Sequence, residues 1–156
     1  MNQRIRRLLI LFGVFLLLGS GCVAMPAPGS ATTTDSTAAT INLAQAAQLT
    51  TTTQLTIRVY DEAAGDYRAA PPITDPDTIA AVVHALDQPL PLQPALFCTA
   101  AYELIFQRAD GTTVLFSAGC TGEGEHFLQG GDTPLQDQAV ALPPDLDARL
   151  AAYGER

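Results

Sequence analysis

No lysine occurs anywhere in the 156 residues, and the 8 basic positions are all arginines. Arg4, Arg6 and Arg7 crowd the start of the chain, whereas the 16 acidic residues all lie at Asp35 or later. Beyond the start, 5 positive charges therefore face 16 negative ones, a balance of −11. A body so acidic is repelled by phosphate backbones and anionic headgroups, so nucleic acid is not an expected partner. Catalytic signatures are missing as well. There is no Gly-x-Ser-x-Gly elbow, no His-Glu-x-x-His pair, no phosphate-cradling loop and no calcium-loop spacing. No cofactor is implied. An active site assembled from distant residues leaves no such local mark, so an enzyme stays open as an alternative.

Long apolar runs are absent too. Leu8 to Leu18 is the main one, interrupted by Gly13, and it reaches polar Ser20 and Cys22 well short of the roughly 20 residues a membrane-spanning helix needs. Preceded by Met-Asn-Gln-Arg-Ile-Arg-Arg, it has the positive n-region and apolar core of an export signal over residues 1–21. The run ends Leu18-Gly19-Ser20-Gly21-Cys22, and here the sequence resembles bacterial lipoproteins processed by signal peptidase II. Ser20, Gly21 and Cys22 match the lipobox, while Gly19 stands where that family usually has leucine and Leu18 lies one place further back. The resemblance covers the first 22 residues. It implies diacylglycerol on the Cys22 thiol, cleavage before Cys22, and a lipid anchor on the extracytoplasmic side of a membrane in the cell envelope. The alternatives are ordinary cleavage near Ala24 or Ala27, or an uncleaved short anchor.

From Val23 to Thr53 the chain is dominated by Ala, Thr, Ser and Pro, which reads as a disordered linker with a coil-like reach of about 30 Å. Residues 54–156 then read as one globular domain, a small antiparallel sheet with a central β-hairpin and two helices packed on one face, in the α+β class. Leu55, Ile57 and Val59 alternate with polar residues as in a half-buried strand. Asp75-Pro76-Asp77 opens a helix whose Ile79, Val82, Val83 and Leu86 form one apolar stripe. Tyr102, Leu104 and Phe106, then Val114, Phe116 and Ala118, flank Asp110-Gly111, which predicts a hairpin with a tight turn at Asp-Gly. Phe127 and Leu128 suggest a third strand of this meander and Ala139 to Leu142 a fourth. Leu146, Leu150 and Tyr153 mark a closing helix.

Setting Cys22 aside leaves Cys98 and Cys120, an even pair in an exported chain, and a disulfide between them is the natural inference. Two free thiols are the bland alternative; a redox centre lacks the Cys-x-x-Cys spacing that would support it. A tight hairpin register places Cys120 nearer Tyr102 than Cys98, so residues 97–101 must fold back. Glu123, Glu125 and His126 form the weak candidate metal or general-base cluster, with Asp110 or Asp132 as possible neighbours, and read more simply as an exposed connection. His84 falls on the solvent side of its helix. The aromatic residues Tyr102, Phe106, Phe116 and Phe127 suit either a ligand cleft or a core, and a domain of this size needs them as core. The functional expectation is a membrane-tethered, non-catalytic binding or interaction module with an extracytoplasmic protein or small-molecule partner. The alternative is a small hydrolase or metal-dependent enzyme using the loop around His126.

Overall fold

The computed structural model describes residues 39–121, 126–130 and 134–154. The expected leader, Cys22 and most of the expected linker lie outside them. The elements run β1 (Thr40–Ile41), α1 (Leu43–Ala46), a 3-10 turn (Leu49–Thr51), β2 (Thr52–Asp61), β3 (Asp66–Ala69), α2 (Pro76–Leu86), β4 (Leu90–Pro94), β5 (Ala100–Arg108), β6 (Thr113–Cys120), β7 (Phe127–Gln129), β8 (Gln138–Ala141) and α3 (Pro144–Gly154). The fold is α+β. Its strands form one antiparallel 8-stranded sheet in the order β1-β4-β8-β7-β6-β5-β2-β3, larger than the small sheet the sequence suggests.

One face of this sheet is apolar because register aligns the period-2 patterns of its strands. Leu55 opposes Phe106, Leu104 opposes Phe116, Ala118 opposes Leu128, and Leu128 opposes Val140, which opposes Leu92. Phe106 and Phe116 meet edge to face at 5.9 Å between ring centroids, and both are fully buried core residues. The helices share the same core: Leu43 and Ala44 from α1, Ile79, Val82 and Leu86 from α2, and Leu146 and Leu150 from α3.

The linker boundary expected at residue 53 moves toward the N-terminus, because residues 40–53 are already folded. Leu43, Ala44 and Leu49 are fully buried. Asn42 caps α1 by accepting from the Gln45 N–H at 3.0 Å, and its side-chain amide donates to Asp87, just past α2, at 2.9 Å. With this single-turn helix included, three helical segments contribute to the core rather than the two expected. At α2 the sequence signal holds: Asp75 is the N-cap, accepting from the Thr78 N–H at 2.8 Å, and Pro76 occupies the first turn.

The β5–β6 hairpin forms, but its turn differs from the tight Asp-Gly pair. Arg108 and Thr112 bracket the loop Ala109-Asp110-Gly111, in which only Gly111 takes positive φ, at +83°. Asp110 instead uses its carboxylate to accept from the Thr112 N–H at 2.9 Å, a side-chain substitute for a turn bond. The three-residue loop shifts the register by one, so that Cys120 opposes Ala100, where a two-residue turn would set it opposite Ala101.

Candidate functional site

The chain must travel from β4 to β5, which have β8, β7 and β6 between them. At roughly 4.8 Å per strand that is a lateral distance of about 19 Å. The residues available, Ala95 to Thr99, reach only about 20 Å when extended. They therefore form a taut strap. Gln129 alternates with core-facing Leu128 and so projects to the other side of the sheet, where it meets the strap. Its amide accepts from the Leu96 N–H at 3.0 Å and donates to the Leu96 carbonyl at 3.1 Å.

The second fastening is covalent. Cys98 and Cys120 are joined by a disulfide with Cα atoms 5.8 Å apart. Beside it, the Thr121 N–H donates to the Thr99 carbonyl at 2.9 Å. Between these fastenings Phe97 is wholly exposed, at 102% of its reference area, whereas Phe127 beneath the strap region is buried. An open groove of about 420 Å³ runs along the strap, lined by Gln93, Pro94, Leu96, His126 and Phe127.

His126 precedes β7, and its carbonyl accepts from the Leu142 N–H at 3.0 Å, which fixes its backbone beside the start of α3. There its Nδ1 lies 2.8 Å from an oxygen of Asp147. Asp147 sits in the first turn of α3, a position that suits a carboxylate electrostatically. With the proton on Nδ1 directed at Asp147, Nε2 keeps its lone pair and can accept a proton or a metal ion. Among the described residues, no hydroxyl or thiol hydrogen-bonds to His126, and no group of three potential metal ligands forms.

The sequence candidates are otherwise dispersed. Glu123, Glu125 and Asp132 lie outside the described residues. Asp110 is not a neighbour of His126: it sits in the turn at the far end of the hairpin, where the Thr112 hydroxyl and N–H hold its carboxyl below the usual range. His84 is exposed on α2. Sequence reasoning missed Asp147, Gln129 and Phe97. The acidic first turn after Pro143-Pro144 is a local signal for Asp147, but its pairing with His126 is long-range and has none.

Elsewhere on the strap side of the sheet, Arg58 and Glu103 oppose each other across β2 and β5 and pair at 2.6 Å. The Arg58 guanidinium lies 5.2 Å from the centre of the Tyr67 ring, and the Tyr67 hydroxyl donates to the Ala100 carbonyl at 2.9 Å. Burial, then the Glu103 charge, push the Tyr67 hydroxyl above its ordinary pKa. These groups satisfy one another and lock the end of β3. No family model, curated protein or solved structure matches the chain.

Proposed function

We propose that the protein is an exported lipoprotein, anchored through Cys22 on the extracytoplasmic side of a membrane, whose folded part is a non-catalytic binding module. The observation that carries the binding reading is Phe97, fully exposed on a strap fastened by Gln129 and by the disulfide. Displaying a large apolar ring in water is unfavourable, and ordering it beforehand lowers the entropy lost on binding. The disulfide suits an oxidising compartment, which supports export. The lipobox-like residues supply the anchoring part of the reading.

The experiment has two arms. Mass spectrometry of membrane-extracted protein is expected to find an acylated N-terminal Cys22, and unmodified Cys22 removes the anchor. A photo-crosslinking residue at position 97 is expected to capture a discrete partner in intact cells, where the same residue at exposed Glu62 does not. Equal capture at both positions removes the binding role of the strap.

The His126–Asp147 pair beside the groove favours a second reading, a small hydrolase or metal-dependent enzyme. Under that reading His126→Gln abolishes turnover of an ester or peptide substrate while leaving the fold intact. Capture at position 97 is then unaffected.

A further inference from the structure

The sheet has two edges, and they differ. β1 at one end spans only Thr40–Ile41, while β3 at the other presents Asp66 to Ala69 and, among the described residues, pairs only with β2. In an antiparallel ladder, successive residues turn their backbone groups alternately toward one neighbour and toward the other. The Ala70 N–H donates inward to the Ile57 carbonyl at 2.8 Å, so Arg68 and Asp66 also bond inward, whereas Tyr67 and Ala69 face out. The Ala69 N–H and the carbonyls of Tyr67 and Ala69 have no hydrogen-bond partner among the described residues. The outward Tyr67 N–H is met only by the neighbouring Asp66 carboxylate, at 2.7 Å.

Exposed backbone of this kind is a template for another strand, and proteins commonly guard it with lysine, proline or a bulge. Asp66 to Ala69 has none of these. Tyr67 does not overhang the edge, because its ring leans back across β2, where its hydroxyl reaches the Ala100 carbonyl in β5. The flanking residues are small, with Ala63, Ala64 and Gly65 before the strand and Ala70 after it. The charges are of both signs and symmetric about Tyr67, since Asp66 and Arg68 are exposed on the same face of the strand. A second β3 laid antiparallel, with Tyr67 opposite Tyr67, forms a hydrogen-bonded pair there and sets Asp66 opposite Arg68 at both ends. Those are the non-hydrogen-bonded positions, where opposed side chains come closest and opposite charges attract. Either slip of two residues sets Asp66 against Asp66 or Arg68 against Arg68, which repel. The pattern therefore selects one register and one partner, a copy of itself.

We infer that β3 is a self-association edge, at which two copies of the chain pair across a two-fold axis at Tyr67 and join their sheets into one. Such an axis makes the two halves of the contact identical. In the single chain Asp66 holds the Tyr67 N–H; on pairing, the carbonyl of the second copy takes that N–H and Asp66 turns to the opposing Arg68. One short strand from each copy buries less than the roughly 1,200–2,000 Å² of a stable interface, so the dimer is reversible. The edge lies beyond β2, apart from the strap, and does not depend on the role of Phe97.

The test mixes light and heavy-isotope forms of the full chain in phosphatidylcholine vesicles, with a photo-crosslinking residue at position 69. Light-to-heavy products are expected between position 69 and residues 63–66, and not from the same crosslinker at exposed Ala80 on α2. Asp66→Arg or Arg68→Asp alone opposes like charges at both ends, and each is expected to cut the yield about tenfold. Mixed with each other, the two variants again face opposite charges and are expected to recover the wild-type yield. The double exchange Asp66→Arg, Arg68→Asp in one chain is expected to recover it as well. Recovery also shows that the variants are folded, since a misfolded edge has no register to restore. Absence of light-to-heavy products at position 69, equal products from positions 69 and 80, wild-type yield in either single variant, or no recovery in the mixture and the double exchange overturns the inference.

Discussion

Gln129 treats Leu96 as a neighbouring strand would: its side-chain carbonyl and amide replace the backbone pair that a strand partner would offer, at 3.0 and 3.1 Å. The strap thereby satisfies its polar backbone while crossing strands it does not pair with. Gln129→Ala leaves both Leu96 groups without these partners, and loses roughly 1–3 kcal/mol. Urea unfolding measures this as a lower midpoint at unchanged slope. The disulfide closes a loop of sequence separation 22 and contributes roughly 3 kcal/mol by restricting the unfolded chain. Because both devices hold one strap, their losses are coupled. The double variant Gln129→Ala, Cys98→Ser is expected to depart from additivity, and strict additivity would show that the strap does not act as a unit.

Leu43 tests the early start of the fold. Its side chain is completely buried against the shared core, so Leu43→Ala is expected to destabilise by about 2–5 kcal/mol. A disordered linker at this position would make the substitution neutral. Calorimetry of the two proteins distinguishes the outcomes.

Gly111 carries the only positive φ in the β5–β6 turn, and a Cβ placed there meets nothing within 4 Å. Gly111→Ala therefore reports backbone conformation alone, at a cost of about 1–2 kcal/mol. Asparagine, which tolerates the left-handed region better, is expected to recover part of that loss. An alanine variant as stable as wild type contradicts the turn geometry.

The Asp75 cap gives a signed pH dependence. Hydrogen bonds from the Thr78 hydroxyl and N–H hold its carboxyl below the ordinary value of 3.8. Since the folded state favours the ionised form, the stabilisation is present above that value and is lost as pH falls through the lower, folded-state value. Asp75→Asn keeps an acceptor without the titration. Its Tm is expected to fall less than that of wild type between pH 5 and the acid limit, and parallel curves would show that the cap does not contribute.

The elements that could be read from the sequence are those whose signals are local. Asp75, Pro76 and the stripe from Ile79 to Leu86 contain both the start and the buried face of α2. The alternations in β2, β5 and β6 likewise identify the sheet's apolar side. The segment before β2 was hidden by composition, since Leu43 and Leu49 are isolated among small and polar residues and are buried only because α2 and the sheet meet there. β4 carries Pro91 and Pro94, which argue against an interior strand; Pro94 lies beyond the two residues that pair with its outer neighbour β1, and Pro91 lies outside the stretch that pairs with β8. Of the candidate site, His126 was legible and its partner was not. The pairing with Asp147 is made by the return of α3 across the sheet, which no spacing records.

The strand order also dictates when the protein can be finished. β5, β6, β7 and β8 form a local meander, yet they lie between β4 on one side and β2 on the other, both made earlier. The N-terminal half therefore has two separated sheet fragments with no direct pairing between them. Closing short connections costs less entropy than bringing distant segments together, so the meander is the cheaper first structure. Pulsed hydrogen exchange would show this as protection of β5 and β6 before β4. If the protein is exported as proposed, such an order would delay completion of the sheet until the last strands have crossed the membrane.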